Sequence, residues 1–209
     1  MPRRSVLTAT DLEGVAAGGE VTITPETLVT PLAREEAERR RITIRVVEAA
    51  PGDAHSSGRR ALAIGADHGG YELKEMLKGH LRDWGYTVLD MGTDSTEAVD
   101  YPDYAEAVAN SIARGDAWRG VMIDSAGIGS AIAANKVPGV RAALCYDRAT
   151  ARNSREHNDA NLLSVGARLI SAEQAREILA VWLETPFAGG RHQRRVDKIR
   201  GIEERHTKK

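Results

Sequence analysis

Residues 121–135 constrain this chain more than any other stretch, because they form the pattern of a buried strand, a glycine turn and a helix. Three apolar residues open the stretch, which is typical of a short strand covered on both faces. Gly127 and Gly129 then allow a sharp turn that can present backbone amides to an anion. The helix expected after them has its positive end at the same point.

Polar residues flank this turn. Asp124 and Ser125 end the apolar run, Ser130 lies in the first helical turn, and Asn135 closes the stretch. A carboxylate, hydroxyls and amide donors thus meet where parallel sheets bind their ligands. We take these residues as candidate site residues. A plain strand-to-helix turn capped by Asp or Ser explains the same pattern equally well.

Composition narrows the class of protein. The formal net charge of −1 gives no overall basic character, so neither nucleic acid nor a membrane surface is an expected partner. No apolar run approaches the roughly 20 residues of a membrane helix. Cys145 is the only cysteine, which indicates a reducing, cytoplasmic location without a disulfide framework. The six histidines show no metal-ligand spacing, so we predict neither a metal site nor another cofactor.

Residues 1–58 differ in texture from residues 59–209, and we treat them as a small N-terminal appendage with a linker at 51–58. The pattern predicts a short helix from residue 10, a strand at 21–24, a helix at 32–41 and a strand at 42–47. So small a unit is expected to dock on something, because its own core is small. A partly disordered tail is the alternative.

From residue 60 strands and helices alternate, which predicts an α/β fold: a Rossmann-like, doubly wound, parallel five-stranded sheet. The strands are expected at 61–64, 87–89, 121–123, 141–146 and 162–165. Helices are expected at 71–84, 104–113, 128–135, 148–156, 172–183 and 194–205. On the first of these helices, the apolar spacing predicts that Lys74, Lys78 and Arg82 face solvent.

Two further motifs carry polar groups at predicted strand ends. Asp67 and His68 follow the first strand, immediately before two glycines that open a helix. His157, Asn158 and Asn161 precede the fifth strand, and a histidine is a natural acid or base near neutral pH. A helix cap and an ordinary turn are the structural alternatives for these two motifs.

A basic turn opens the last helix. Arg191 and Arg195 are four residues apart and can form one face that binds phosphate, and Arg168, just past the fifth strand, can add a third cation. A solvated charge run is the alternative explanation.

Together these motifs resemble the ribose-5-phosphate isomerase type B family, within the sugar-phosphate isomerases that include the galactose-6-phosphate isomerase subunits. The resemblance covers about residue 60 to the C-terminus. It is carried by GADHGGYELKEMLKGHL, DYPDYAEAVA, AGIGSAIAANKVPGVRAALCYD, HNDANLL and GGRHQRRV.

The resemblance implies a metal-free isomerisation of an aldose phosphate to a ketose phosphate through an enediolate. It makes His157, assisted by Asp67, the residue that opens the sugar ring, and makes the amides of residues 125–130 with Asn158 the stabilisers of the enediolate. It also implies a homodimer or a dimer of dimers with sites shared between subunits. The phosphate ligands would be His68, Arg168, Arg191 and Arg195.

One position departs from the family pattern. Most members carry a cysteine base at the end of the third strand, where this chain has Asp124, and another branch uses a glutamate where this chain has Ser130. The usual threonine hydroxyl is replaced by Ala126, beside Ser125. Asp124 is therefore either the base itself, since a carboxylate can abstract a proton next to a carbonyl, or the mark of a protein that binds sugar phosphates but isomerises them poorly.

Ribose 5-phosphate and ribulose 5-phosphate are the expected pair, with a four- or six-carbon sugar phosphate as the alternative. Residues 22–44 resemble N-terminal segments of bacterial microcompartment proteins, which implies docking to shell or core proteins. An oligomerisation arm is the competing interpretation.

Overall fold

The computed structural model describes residues 6–7, 9–12, 14–23, 27–46 and 60–207. The chain divides into two compact units, Met1–Gly58 and Arg59–Lys209. The linker expected at 51–58 lies outside the described residues.

Among its described residues, the N-terminal unit contains two pairs of short parallel strands, one α-helix, and a 3₁₀ turn at Thr10–Leu12, where the pattern predicts a short helix. Strand β1 pairs with β3, and β2 pairs with β4. Helix α1 (Pro31–Arg39) begins after Thr30, whose side chain accepts the Ala33 amide at 3.2 Å. The strands are β1 (Val6–Leu7), β2 (Glu20–Ile23), β3 (Leu28–Val29) and β4 (Thr43–Val46).

A small core holds this unit together. Arg40 ties the helix end to the loop before β2, because its guanidinium donates to the carbonyl oxygens of Leu12, at 2.7 Å, and Val15. The pattern predicted β2, α1 and β4 but not β1 and β3, which are two residues long and so show no periodicity. The buried apolar side chains are Leu7, Leu12, Ala33, Ala37 and Ile42.

The larger unit is built on one parallel sheet of five strands in the order β6-β5-β7-β9-β8. This sheet confirms the predicted α/β class. The strands are β5 (Ala61–Ala66), β6 (Thr87–Asp90), β7 (Arg119–Asp124), β8 (Ala142–Leu144) and β9 (Leu162–Gly166).

Helices cover both faces of the sheet, which explains why every residue of its strands β7 and β9 is buried. Successive β7 residues point to opposite faces: Val121 and Ile123 pack with α2, α5 and α6, whereas Met122 packs with α3 and α4. The helices are α2 (Tyr71–Asp83), α3 (Tyr101–Ala113), α4 (Ile128–Ala134), α5 (Arg148–Asn158), α6 (Ala172–Glu184) and α7 (Gln193–Thr207).

The expectation that Lys74 and Lys78 face solvent is wrong. Their relative exposures are 1% and 8%, because both reach the carboxylate of Asp90 at the end of the edge strand β6. Lys74 Nζ lies 2.7 and 2.9 Å from the two Asp90 oxygens, and Lys78 Nζ lies 2.7 Å from Glu75 Oε1 and also bonds Asp90. Long lysine stems pack against α2's apolar side while their charges meet a partner.

We expect Asp90→Asn to lower the free energy of unfolding by about 3 kcal/mol, because it leaves the buried Lys74 ammonium without its main counter-charge. Chemical denaturation measures the change. Asp116→Asn is the matched control: its pair with Arg114 is 52% and 64% exposed and should contribute less than about 1 kcal/mol. Equal effects of the two substitutions would contradict this role for Asp90.

The loss should also depend on pH. Burial raises the pKa of Asp90, but the hydrogen bonds from Lys74 and Lys78 outweigh burial, so the net pKa is lowered. The stabilisation is therefore complete above the unfolded pKa of about 4 and disappears as the pH falls through the lower folded pKa. The difference between wild type and Asp90→Asn should narrow in the same acidic range.

Candidate active site

Two buried carboxylates lie at the carboxyl ends of neighbouring strands. Asp67 follows β5 and is 5% exposed, and Asp124 is the last residue of β7 and is 4% exposed. The Asp67 amide donates to the Ile123 carbonyl at 3.1 Å, which holds the two strand ends side by side. Burial raises the pKa of Asp67, the charge of Asp124 raises it further, and the Gly70 amide, at 3.0 Å from Oδ1, acts in the opposite direction.

The Asp124 carboxylate is surrounded by hydrogen-bond donors. Oδ1 accepts the amides of Ala126, at 2.7 Å, and of Gly127. Oδ2 accepts both the amide and the hydroxyl of Ser130, at 3.1 and 2.5 Å. Four donors on one carboxylate fix the shape of the turn into α4.

The family resemblance assigns the turn amides to binding an enediolate. In this structure, amides of the turn instead bind the protein's own carboxylate, that of Asp124. Those of Ala126, Gly127 and Ser130 can reach a substrate oxygen only when Asp124 turns away. Ser125 Oγ lies over the neighbouring glycine loop, 2.4 Å from where a Cβ on Gly69 would stand. Its hydroxyl thus lies beside the Asp67 loop.

Both predicted glycines of the turn are required by the structure. Gly127 has φ +77°, a left-handed conformation, and an added Cβ would lie 2.9 Å from the Val165 backbone. A Cβ on Gly129 would lie 2.5 Å from the Tyr101 ring. The turn is therefore packed against β9 and α3 without space for side chains.

Two predicted phosphate ligands lie at this same edge. His68 is exposed, and its Nδ1 lies 3.2 Å from the Val99 backbone amide nitrogen. Arg168 follows β9, and its amide donates to the Ser125 carbonyl at 3.1 Å while its side chain is exposed. The carboxyl edge thus combines carboxylates, a hydroxyl, an exposed imidazole and an exposed guanidinium.

His157 lies at the opposite edge of the sheet. Helix α5 leads from the carboxyl end of β8 back to the amino end of β9, and His157 is in its last turn. Arg141, immediately before β8, bonds the carbonyl oxygens of Asn158 and Asp159 at 3.2 and 3.0 Å. The five residues of β9 separate the two edges by roughly 15 Å.

The basic turn joins His157 at this amino edge. The rings of His157 and His192 stack with centroids 4.1 Å apart and 7° between their planes. Arg191 and Arg195 flank His192 and are exposed, as is Asn158. The sequence reasoning missed His192, which lies within the basic run but differs from it in being 7% exposed.

Asn135 belongs neither to the residues at the carboxyl edge nor to those at the amino edge, because its side chain supports the fold. Its side chain pairs with the edge strand β8: Nδ2 donates to the Ala142 carbonyl and Oδ1 accepts the Ala142 amide, both at 2.9 Å. Nδ2 also bonds the Ala131 carbonyl at 2.8 Å. An amide engaged in this way has little remaining capacity to bind substrate.

Cys145 is a poor replacement for the family's cysteine base. It is fully buried, and burial raises the pKa of its thiol to about 11. The thiol is therefore protonated near neutral pH and has no nucleophilic character.

In the part of the chain that the structure describes, no three His, Cys, Asp or Glu side chains are grouped so as to hold a metal ion. Across the same residues, no helix has both the length and the apolar character needed to cross a bilayer.

Known proteins match the larger unit. The model of the Ribose/Galactose Isomerase family matches residues 62–199. A ribose-5-phosphate isomerase B from Escherichia coli is 44% identical over 148 residues, which are 71% of this chain and 99% of that protein. A D-erythrulose-4-phosphate isomerase from Pectobacterium atrosepticum is 41% identical over 140 residues, which are 66% of this chain and 92% of that protein.

Solved structures agree with these matches. A ribose-5-phosphate isomerase B from Clostridium thermocellum is 48% identical with a TM-score of 0.70, covering 70% of this chain and 99% of that chain. A Mycoplasma genitalium ribose-5-phosphate isomerase B with bound ribulose-5-phosphate is 38% identical with a TM-score of 0.67, covering 69% and 96%. The family resemblance is thereby confirmed: this chain belongs to the Ribose/Galactose Isomerase family and is an aldose–ketose isomerase.

Proposed function

We propose that this enzyme interconverts ribose 5-phosphate and ribulose 5-phosphate through an enediolate, without a metal ion. The observation that carries the proposal is the pair of buried carboxylates, Asp67 and Asp124, beside an amide-rich turn at the carboxyl edge of the sheet. Two carboxylates in different environments can divide base and acid roles between them. The relatives named for ribose 5-phosphate support the choice of sugar.

In this proposal Asp124 moves the proton between C1 and C2 of the open sugar. It stands where most of the family has a cysteine, and its ionised form can accept a proton. Both of its oxygens are occupied by donors, so abstraction requires that Oδ2 releases Ser130 as the substrate carbonyl enters. Asp67, whose pKa is raised mainly by burial, is suited to exchange a proton with a sugar hydroxyl.

A complete site on this proposal needs two copies of the chain. The proton-transfer group lies at the carboxyl edge, while His157, Arg191 and Arg195 lie at the amino edge about 15 Å away along the strands. No substrate as small as a pentose phosphate spans both edges of one sheet. A homodimer, or a dimer of such dimers, brings the carboxyl edge of one subunit against the amino edge of its partner.

A four-carbon sugar phosphate is the second candidate substrate. The observation that favours it is the similarity to a relative named as a D-erythrulose-4-phosphate isomerase. A six-carbon sugar phosphate and a protein that binds sugar phosphates but isomerises them poorly are the remaining alternatives. Turnover of ribose 5-phosphate and of four- and six-carbon aldose phosphates, measured with EDTA present, separates these cases.

We also propose a cytoplasmic location, with the N-terminal unit docking the enzyme to shell or core proteins of a bacterial microcompartment. The unit has its own buried core and a capped helix, as a docking module requires.

Asp124→Asn should lower kcat at least about 100-fold with ribose 5-phosphate, because it removes the base. The Asn side chain also faces the donors of the turn with an NH₂ group, which disturbs those hydrogen bonds. Ser130→Ala disturbs them too but keeps the carboxylate, so it is the matched control. It removes only the hydroxyl from Oδ2, so it should keep kcat within about threefold. Asp124→Cys should keep part of the activity. Full activity in Asp124→Asn would remove Asp124 from the mechanism.

Mixing two inactive variants tests the shared site. Asp124→Asn and His157→Ala each damage both sites of their own homodimer. After unfolding and refolding together, half of the dimers should be hybrids with one intact site, which restores about a quarter of wild-type turnover. The separately refolded variants are the control. A mixture no more active than its components would place the whole site within one subunit.

Deletion of residues 1–58 tests the docking proposal. We expect kcat/KM within about threefold of the full chain, since the site residues are all in the larger unit, together with loss of association with microcompartment shells. The mass of the native assembly, measured with and without residues 1–58, tests the competing interpretation. A changed number of subunits would identify the unit as an oligomerisation arm and overturn the proposal.

A further inference from the structure

Asn153 lies one helical turn before His157 on α5, and their side chains are in direct contact. The Asn153 amide nitrogen is 2.8 Å from His157 Nδ1. Residues four apart on a helix face each other in this way. An amide NH₂ group only donates, so the contact as oriented assigns Nδ1 as the acceptor, the nitrogen that carries no hydrogen in the neutral ring. The hydrogen of the neutral imidazole is then on Nε2.

His192 holds the same ring from a second direction. Its imidazole stacks on that of His157 at 4.1 Å and nearly parallel, and only 7% of the residue is exposed. Burial lowers the pKa of His192, and a positive charge on His157, when that ring is protonated, and the charges of Arg191 and Arg195 lower it further, against the opposite effect of Glu156. His192 is therefore a neutral, flat support near pH 7.

We propose that Asn153 and His192 are positioning residues that fix His157 in one tautomer and one ring plane, so that it meets the sugar as an Nε2–H hydrogen-bond donor. The identification of the sugar rests on the proposed function, whereas the tautomer rests on the contacts within this chain. Asn153 lies outside the motifs that first indicated the family, and His192 lies within one of them, GGRHQRRV, without a role assigned to it there.

A hydrogen-bond donor such as the Nε2–H group is suited to the ring oxygen of a furanose phosphate. When the ring opens, the bond from C1 to the ring oxygen breaks, C1 becomes the aldehyde carbonyl, and the C1 hydroxyl loses its proton. The ring oxygen gains a proton and becomes the C4 hydroxyl. One proton thus moves from the C1 oxygen to the C4 oxygen, and no external acid or base is consumed. A fixed N–H at the ring oxygen stabilises the negative charge that develops there.

The tautomer can be observed directly. In ¹⁵N-labelled protein, we expect the His157 Nδ1 resonance of an unprotonated nitrogen and the Nε2 resonance of a protonated one, assigned by their loss in His157→Gln. Asn153→Asp places an acceptor opposite Nδ1 and should move the hydrogen to Nδ1. Nδ1 already protonated in the wild type, or a spectrum unchanged in Asn153→Asp, would overturn the proposal.

Kinetics separate this role from a general structural one. Ribulose 5-phosphate has no ring, because its C5 hydroxyl is phosphorylated, so exchange of its C1 hydrogen with deuterated solvent requires only the enediolate. Asn153→Asp should lower turnover of ribose 5-phosphate at least about tenfold, while that exchange stays within about threefold. Equal losses in both assays would mean that Asn153 only supports the fold.

Two controls complete the experiment. Arg152→Leu changes the adjacent exposed position and should leave both rates unchanged. His192→Phe retains a flat ring for stacking and should keep more ribose 5-phosphate turnover than His192→Leu; the reverse order would remove His192 from the proposal. Should the wild type show neither turnover nor exchange, the proposed function would fail, and the nitrogen spectra would still decide the tautomer.

Discussion

The Asp124 carboxylate organises the edge of the sheet where this enzyme's chemistry is expected. Its two oxygens collect three amides and a hydroxyl from residues 126–130, so the turn between β7 and α4 is wound around an internal anion. Helix N-termini and glycine turns commonly bind phosphates or oxyanions in this way. Here a side chain provides the anion, and a substrate oxygen must compete with it. The same carboxylate raises the pKa of Asp67, whose burial is the larger cause.

The parallel sheet imposes the second constraint. All five strands run in one direction, so their carboxyl ends share an edge, and each returning helix ends at the other edge. Asp67, Asp124 and Arg168 fall on the first edge, and His157 with the basic turn falls on the second. Residues that the resemblance assigns to one site are therefore divided between two surfaces of a single chain. A symmetric pair of subunits is a simple way to reunite them.

Sequence patterns predicted the five strands and six α-helices that the structure describes in the larger unit, since apolar periodicity depends on local spacing and both faces of this sheet are buried. Helix α3 begins at Tyr101, three residues before the expected start, because Pro102 is favourable in a first helical turn. The lysines of α2 were misplaced for a different reason. Periodicity assigns a charged residue to solvent, and only the fold brings Asp90 of another element within reach of Lys74.

The sequence alone determined the α/β architecture, the family and the types of residue available for chemistry, because these follow from hydrophobic spacing and from motifs read along the chain. Only the tertiary structure decided which of those residues meet. It separated His157 from Asp67, gave Asn135 to the edge strand, turned the amides beside Gly127 onto Asp124, and stacked His192 on His157. His157 and His192 are distant along the chain, whereas the contacts of Asp124 and Asn135 are short-range but depend on the path of the turns around α4. Apolar periodicity records neither kind of contact, because it depends only on residue spacing within one element.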